Sequence, residues 1–420
     1  MDKFVIEGSK KLNGSVVISG AKNATLALMP ATLLASGKYE LYNSPNLHDV
    51  VTMSKLLESM GVAIERFGDT LLMNTFRVNK FEAPYEHVKK MRASIYVLAP
   101  LVARYGQAKV SLPGGCAWGP RPVNLHIEAL KKLGANIEID RGYIIAKAKQ
   151  LKGTKIKFDV SSVGATGNTL MAAVLAKGNT KIENAAMEPE ITNLAKMLVS
   201  MGAKINGINS PTLEIEGVDH LNPTFVDTIP DRIEAGTFLI ATALCGGKVT
   251  INNCEPKHLT SLLKILKKSG SKIKIENNSI SISSNGKIKP VSVETEIYPG
   301  FPTDMQAQWI TLMSLANGKS KITDSIYTDR FNHVPELVRL GANIKMKNNI
   351  ASITGVKFLT GTKIMSTDLR ASAALVLAGL VSHGNTEVLR VYHLDRGYEV
   401  FEKKLQSLGA KIERVSYKEF

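Results

Sequence analysis

Cationic and polar side chains recur in this chain about 14 residues ahead of a set of glycines. They are Lys22-Asn23, Arg92, Ser162-Val163-Gly164, Asp231-Arg232, Thr303-Asp304 and Asp368-Leu369-Arg370, ahead of Gly37, Gly106, Gly178, Gly247, Gly318 and Gly384. Each group marks the place where an apolar helix would begin. Helix capping accounts for Thr303-Asp304 and Asp368, because such side chains accept the free N–H groups of a first turn. Capping does not account for Lys22, Arg92, Arg232 or Arg370, since a cation opposes the helix dipole at that end. An anion shared between the cation and the free N–H groups does account for them. If the repeats share one orientation, several such helix starts converge on an anion-binding cleft.

A second candidate is a loop. Residues Ser111-Leu112-Pro113-Gly114-Gly115-Cys116-Ala117-Trp118-Gly119-Pro120-Arg121-Pro122 hold three Gly and three Pro in twelve positions, which suits neither helix nor strand. The loop displays Cys116, and Arg121 nearby favours its thiolate, although a thiol acting as proton donor must be protonated for part of the cycle. An idle loop thiol is the alternative. Cys245 sits in an apolar run and reads as core; Cys254 has no evident role.

The elements that must position these groups form a repeat. Six phrases place a Leu, three residues, a Gly, a small or polar pair and an Ile: Leu57–Gly61–Ile64, Leu130–Gly134–Ile137, Leu198–Gly202–Ile205, Leu266–Gly270–Ile273, Leu337–Gly341–Ile344 and Leu405–Gly409–Ile412. A fixed period through a chain points to repeated architecture. Each phrase predicts a helix ending on a Gly, then a strand. Ahead of it in each unit, helix-length apolar segments span 24–36, 94–104, 169–176, 238–245, 305–315 and 371–381. They are apolar on nearly every face and therefore belong inside. A short strand follows, such as 38–41 or 181–183, then an amphipathic helix. The unit reads β–α–β–α–β, with one buried and one more exposed helix.

With 420 residues, 44% of them hydrophobic and 21% charged, the chain fits an ordinary globular protein of two domains, three units each. The longest nearly apolar run is too short to span a bilayer. No secretory leader is read at Met1-Asp2-Lys3-Phe4, and three cysteines without framework spacing favour a cytoplasmic setting. The formal net charge of +16 gives either plain solubility or a field that gathers anions. Lys dominates the 53 cations, so the few Arg stand where a forked geometry is needed. No P-loop, dinucleotide fingerprint or metal-ligand spacing is present; no metal or cofactor is expected. His126 reads as an ordinary helix residue, and 264–268 as a solvated basic helix face.

Several motifs resemble the enolpyruvyl transferases of cell-wall synthesis. They are Ser19-Gly20-Ala21-Lys22-Asn23-Ala24, Pro113-Gly114-Gly115-Cys116, Arg121-Pro122-Val123-Asn124-Leu125-His126-Ile127 and Phe301-Pro302-Thr303-Asp304-Met305-Gln306-Ala307-Gln308. Arg330-Phe331-Asn332-His333-Val334-Pro335-Glu336-Leu337, Thr367-Asp368-Leu369-Arg370-Ala371-Ser372 and Asp395-Arg396-Gly397-Tyr398-Glu399 belong to the same set. The resemblance runs from about residue 4 to 415.

This resemblance implies an α/β fold, a two-domain inside-out α/β barrel with buried parallel helices and sheets outside. The implied domains are residues 22–229, carrying the Cys loop, and 1–21 with 230–420, the active site lying in the cleft between them. The implied reaction moves the enolpyruvyl group of phosphoenolpyruvate to the 3′-hydroxyl of UDP-N-acetylglucosamine and releases phosphate, the first committed step toward peptidoglycan. No nucleic acid or membrane partner is expected. By position, Asp304 matches the candidate base and Cys116 the proton donor, with Lys22 and Arg396 also catalytic. Lys22, Asn23, Arg121, Arg370 and Arg396 match the phosphoenolpyruvate site, Asn23 bridging both substrates. Arg92, Arg121, Pro122, Val123, Asn124, Leu125, Ser161, Ser162, Val163, Gly164, Asp304 and Ile326 match contacts to the UDP-sugar. Asn124 stands where many members carry Asp; it keeps an acceptor oxygen and loses the charge. The pair Ala117-Trp118 has no assigned role.

Two other readings compete. A sister enzyme acting on shikimate 3-phosphate would share the fold and phosphoenolpyruvate, but the Gly-Gly-Cys loop argues against it. A DNA-encircling clamp is also basic and repetitive, yet needs helices with basic faces toward phosphates.

Overall fold

A computed structural model describes residues 2–8, 11–89, 91–112 and 123–417. The chain divides into two compact units, Gly20–Ile229 and Met1–Ser19 with Pro230–Phe420. They are called here the inserted and the discontinuous unit.

The repeated phrase is a helix-stop device. In all six copies the Leu is fully buried. The residue after the Gly donates its N–H to that Leu carbonyl: Val62 to Leu57 at 3.1 Å, Ala135 to Leu130 at 3.0 Å, Ala203 to Leu198 at 2.9 Å. Ser271, Ala342 and Ala410 repeat the bond to Leu266, Leu337 and Leu405. Those glycines have φ between 94° and 110°, which side-chain-bearing residues rarely adopt. This is a six-to-one helix ending with its accompanying apolar contact. It reverses the chain so that the following strand lies beside the helix just completed. Truncating one of these Leu to Ala would cost about 2–5 kcal/mol.

The helices ahead of these stops are His48–Ser59, Asn124–Lys132 and Pro189–Ser200 in the inserted unit. In the discontinuous unit they are Thr260–Lys268, Val334–Arg339 and Phe401–Ser407. Lys264, Lys267 and Lys268 are exposed, as a solvated face requires.

The apolar segments form the buried helices. In the inserted unit these are Lys22–Ala31, Arg92–Val97 (a 3-10 turn) continuing into Leu98–Tyr105, and Val163–Ala173. In the discontinuous unit they are Arg232–Cys245, Gln306–Met313 after the turn Thr303–Met305, and Leu369–Val381. Within each unit they pack on one another. The three helices of the discontinuous unit are buried almost throughout. Each unit has its own apolar core. Cys254 belongs to the second core, and Cys245 packs half-buried against it. No helix among the described residues is long and apolar enough to cross a membrane.

Among the described residues, six four-stranded mixed sheets and one two-stranded sheet accompany the helices. Five of the six units of sequence hold one strand more than the β–α–β–α–β reading, because the strand after the Leu…Gly stop turns back as a hairpin. Ala63–Phe67 with Thr70–Asn74 is one such hairpin, Asn136–Asp140 with Tyr143–Lys147 another. The returning strand runs antiparallel between its hairpin partner and the strand after the buried helix. A parallel strand closes the other edge. For the first sheet that edge is Phe225–Asp227, beside Lys38–Tyr42 with Val226 opposite Leu41.

The discontinuous unit uses both ends of the chain. Leu12–Val17 lies parallel to Gly247–Asn252. Asp2–Glu7 sits between Asn385–Leu389 and Lys411–Ser416, in the returning-strand position of the sixth sheet. The chain therefore leaves this unit after Ser19 and re-enters at Pro230. There the N–H of Asp231 donates to the Ser19 carbonyl at 2.9 Å.

Candidate active site

In the inserted unit, three helix starts carry the predicted residues. Lys22 opens its helix and is buried; its Nζ donates to Asp49 Oδ2 at 3.3 Å. Both side chains are about nine-tenths covered, at 11% and 7% exposure, so the ammonium offsets its desolvation against a fixed carboxylate. Asn23 beside it is exposed. Arg92 opens the second buried segment, and Tyr96 one turn on donates its hydroxyl to the Val163 carbonyl at 3.4 Å. Ser162 caps the third helix, its Oγ accepting the Ala165 N–H at 3.3 Å. Residues Ser161, Ser162, Val163 and Gly164 are half-buried, and the first-turn N–H groups there are of the kind that hold phosphate oxygens.

His126 is more than a helix residue. It is 3% exposed, and its Nδ1 lies 2.7 Å from Asn168 Nδ2. Asn168 is held in turn: its Nδ2 donates to the Ile95 carbonyl at 3.2 Å and its Oδ1 accepts the Ala99 N–H at 3.2 Å. An amide donor facing Nδ1 makes that nitrogen the acceptor and leaves the proton on Nε2. Burial, helped by the Arg92 charge, pushes the imidazole down to about 3, so it stays neutral. The other edge of the ring faces Gly164, where a Cβ would lie 3.0 Å from both Cε1 and Nε2. Helix Asn124–Lys132 is thereby locked to the Ser161–Gly164 segment. Val123 is buried beside it, Leu125 half-buried, and Asn124 exposed as the first residue of the helix.

In the discontinuous unit, the helix starts at Thr303 and Leu369 meet through Asp304. Its Oδ1 accepts from Arg330 Nη1 at 2.7 Å and its Oδ2 from Arg370 Nη2 at 3.0 Å. Asp304 is about a quarter exposed, at 26%, whereas the two cations are 11% and 4% exposed. Burial raises the carboxyl, but Arg370 and Arg330 outweigh it and hold it well below the usual carboxylate range. Arg370 also lies over the Tyr398 ring, 5.5 Å from its centroid. Tyr398 OH pairs with Thr237 Oγ1 at 2.9 Å and accepts from Gln308 Nε2 at 3.3 Å. The Nε and Nη1 atoms of Arg370 are buried and have no hydrogen-bond partner among the described residues. Buried guanidinium donors without acceptors are costly, and they mark a place for an anion.

Arg396 closes the short 3-10 turn Val391–Arg396 and is half-buried. Its neighbour Asp395 takes a two-pronged bond from Arg414, at 3.0 and 2.6 Å, which pins the turn to the last strand. Asp368 caps its helix through the N–H groups of Arg370 and Ala371 at 2.8 and 3.1 Å. Thr303-Asp304 does not cap. Thr303 Oγ1 donates to Asp324 Oδ2 at 2.7 Å, and Asp304 spends its oxygens on the two arginines.

The family model described as EPSP synthase (3-phosphoshikimate 1-carboxyvinyltransferase) matches residues 6–405. The UDP-N-acetylglucosamine 1-carboxyvinyltransferase of Chloroherpeton thalassium is 58% identical over 423 residues, covering 100% of this chain and 99% of its own. The chain belongs to the enolpyruvyl transferase family. The protein of the same description from Chlorobium limicola is 55% identical over 423 residues, covering 100% of both chains. Among solved structures, the enolpyruvyl transferase NikO from Streptomyces tendae superposes with a TM-score of 0.90 at 24% identity over 99% of each chain. An EPSP synthase from Acinetobacter baumannii gives 0.75 at 17% identity, over 99% of this chain and 100% of its own. Both structures share the fold.

In this enolpyruvyl transferase the expected helix-start cations meet carboxylates or rings of the chain itself. Lys22 has Asp49, Arg370 has Asp304, and Arg232 lies over the Tyr298 ring at 5.5 Å. Asp304 and Arg370 are brought into direct contact, and Arg92 stands near enough to His126 to act on its charge. Ile326 is 38% exposed, on a turn that follows strand Lys319–Thr323. Cys116, Arg121 and Pro122 lie outside the described residues. Sequence reasoning missed Arg330, Asp49, Asn168 and the support role of Tyr398. Arg330 and Tyr398 stand within the family-like motifs, but nothing local to Asp49 or Asn168 sets them apart from helix surface or core.

Proposed function

We propose that this enolpyruvyl transferase joins the enolpyruvyl group of phosphoenolpyruvate to the 3′-hydroxyl of UDP-N-acetylglucosamine and releases phosphate, the entry step of peptidoglycan synthesis. One relationship carries the chemistry: a carboxylate held between two guanidinium groups, one of which keeps buried donors open. The choice of acceptor is supported by the identity over the whole chain to proteins described by that reaction.

The acceptor hydroxyl forms a bond to C2 of the enol and gives up its proton, while C3 takes one up. The tetrahedral ketal then loses a proton from C3 and expels phosphate from C2. Asp304 starts ionised and is a weak base, so it accepts a hydrogen bond from the hydroxyl, aims its oxygen, and takes the hydroxyl proton as the bond to C2 forms. Arg370, through Nε and Nη1, holds an anionic oxygen of the three-carbon substrate, joined by Lys22, Arg121 and Arg396, with Asn23 bridging both substrates. These cations answer the charge that builds as phosphate departs. Cys116 supplies the proton to C3, as the family resemblance implies. Arg92, Arg121, Pro122, Val123, Leu125, Ile326 and the Ser161–Gly164 segment contact the sugar nucleotide, and Asn124 keeps an acceptor toward it. A cytoplasmic setting for that reaction is supported by the sugar-nucleotide acceptor and by three cysteines without framework spacing.

Phosphate release from phosphoenolpyruvate tests the reading. It should require UDP-N-acetylglucosamine; release with shikimate 3-phosphate instead would overturn the acceptor. Labelling of Cys116 by an alkylating agent should change rate when the UDP-sugar is present.

A further inference from the structure

A buried carboxylate that neither substrate requires sits behind Asp304. Asp324 is fully buried, at the end of strand Lys319–Thr323. Its Oδ1 accepts from Thr295 Oγ1 at 2.7 Å, from the Ile326 N–H at 3.0 Å and from the Tyr327 N–H at 2.8 Å. Its Oδ2 accepts from Thr303 Oγ1 at 2.7 Å. The Asp324 carbonyl accepts from Asn349 Nδ2 at 3.0 Å. Thr303 is the residue before Asp304, and its hydroxyl also accepts from Arg330 Nη1 at 3.3 Å. That same Nη1 donates to Asp304 Oδ1. One oxygen of Asp324 therefore shapes the turn that presents Ile326, while the other anchors the segment that presents Asp304.

We propose that Asp324 is a positioning residue, which fixes the Asp304 carboxylate relative to the Ile326 turn through the hydroxyl of Thr303. The proposal rests on the role of Asp304 given above. Four donors on one buried carboxylate satisfy it fully, so the network is rigid and its geometry has few alternatives. Thr303 is its weak link toward the chemistry: its hydroxyl has a single proton, given to Asp324, and a lone pair, given to Arg330. A carboxylate there receives every donor. An amide at 324 that keeps its oxygen toward Thr295, Ile326 and Tyr327 turns its NH2 toward the Thr303 oxygen, which reverses that bond and sends the hydroxyl proton elsewhere.

Steady-state kinetics of the full-length enzyme with phosphoenolpyruvate and UDP-N-acetylglucosamine test this, using Thr303→Val, Thr303→Ser, Asp324→Asn, the Thr303→Val/Asp324→Asn double variant and Asp304→Asn. Thr303→Val keeps the side-chain shape and should lower kcat about tenfold, with KM for phosphoenolpyruvate little changed, as expected for a displaced reacting group. Thr303→Ser should restore kcat. Asp324→Asn should lose a similar factor, and the double variant no more than the worse single variant, because both break one path. Wild-type kcat in Thr303→Val, or losses that multiply in the double variant, overturn the proposal. Should Thr303→Val fail to fold, Asp324→Asn against Thr303→Ser decides the matter: a kcat loss in the first only supports the proposal, and equal rates in both overturn it. Asp304→Asn separates the layers. If it is inactive while Thr303→Val is unimpaired, only the positioning role falls; if it is fully active, the role of Asp304 falls and takes this proposal with it.

Discussion

Asp304 Oδ1 lies 2.7 Å from Arg330 Nη1, and this ion pair joins two segments of one unit. With Arg370 on the other oxygen, the carboxyl stays ionised despite burial. Its folded value is depressed, so it contributes stability above the ordinary carboxylate range and loses it as pH falls through the folded value. Asp304→Asn should therefore lower the melting temperature at neutral pH, by about 3 kcal/mol of stability, since two covered cations lose their counter-charge. The gap to wild type should close on acidification below the carboxylate range. Thermal melts across pH check this; a gap independent of pH contradicts it.

Arg370 is buried, donates from Nη2 to Asp304, lies over the Tyr398 ring and keeps Nε and Nη1 for an anion. A lysine cannot reproduce a planar fork. Arg370→Lys should reduce kcat/KM for phosphoenolpyruvate by roughly a hundredfold, about 2.7 kcal/mol of lost binding in the transition state. Activity within a few-fold of wild type would remove Arg370 from the anion site.

Two buried imidazoles set the acid response. His126 is pushed to about 3 by burial and Arg92, and His333 to about 3 by burial and Arg330. The unfolded chain takes up these protons near pH 6.5, the folded chain only far lower, so the unfolded state binds more protons in between. Stability should fall as pH drops from about 6.5 toward 3, where the native imidazoles themselves protonate. Replacing both by Gln should flatten that slope in chemical-denaturation curves; an unchanged slope would show that other groups govern it.

A Cβ at Gly164 would lie 3.0 Å from the His126 ring, so the ring or the segment must give by a few tenths of an ångström. The ring cannot retreat without giving up Asn168. Gly164→Ala should cost about 1–3 kcal/mol of overpacking. The Ser161–Gly164 segment would move to relieve it, raising KM for UDP-N-acetylglucosamine by roughly tenfold or more while saturating turnover changes little. Initial rates against sugar-nucleotide concentration check this, and an unaltered KM counts against a tight segment.

The repeat was legible because its signals act within a few residues. Leu57 and Gly61, with their five sister pairs, announce both a helix end and the turn after it. The apolar helices announced their own burial. The hairpin strands were not legible, because short segments such as Thr70–Asn74 carry too little periodicity to stand apart from a loop. Nor was the position of Asp2–Glu7, which depends on pairing with strands hundreds of residues away. Capping at Thr303-Asp304 was a sound local expectation, overridden when Asp324 and two arginines offered those side chains stronger partners.

The amino-acid sequence alone determined where the buried helices begin, where the outer helices stop at their Leu…Gly phrases, and that cations crowd the starts of buried helices. Backbone geometry and hydrophobic period settle such matters locally. Only the tertiary structure decided which charge meets which. Arg330, 26 residues from Asp304, reaches it from a loop of the same repeat, and Arg370, 66 residues away, from the start of the next repeat's buried helix. His126 and Asn168, 42 residues apart, become neighbours in the same way. Such pairings arise from the packing of helices and loops that are distant in the chain, and the short-range pattern of residues holds no record of them.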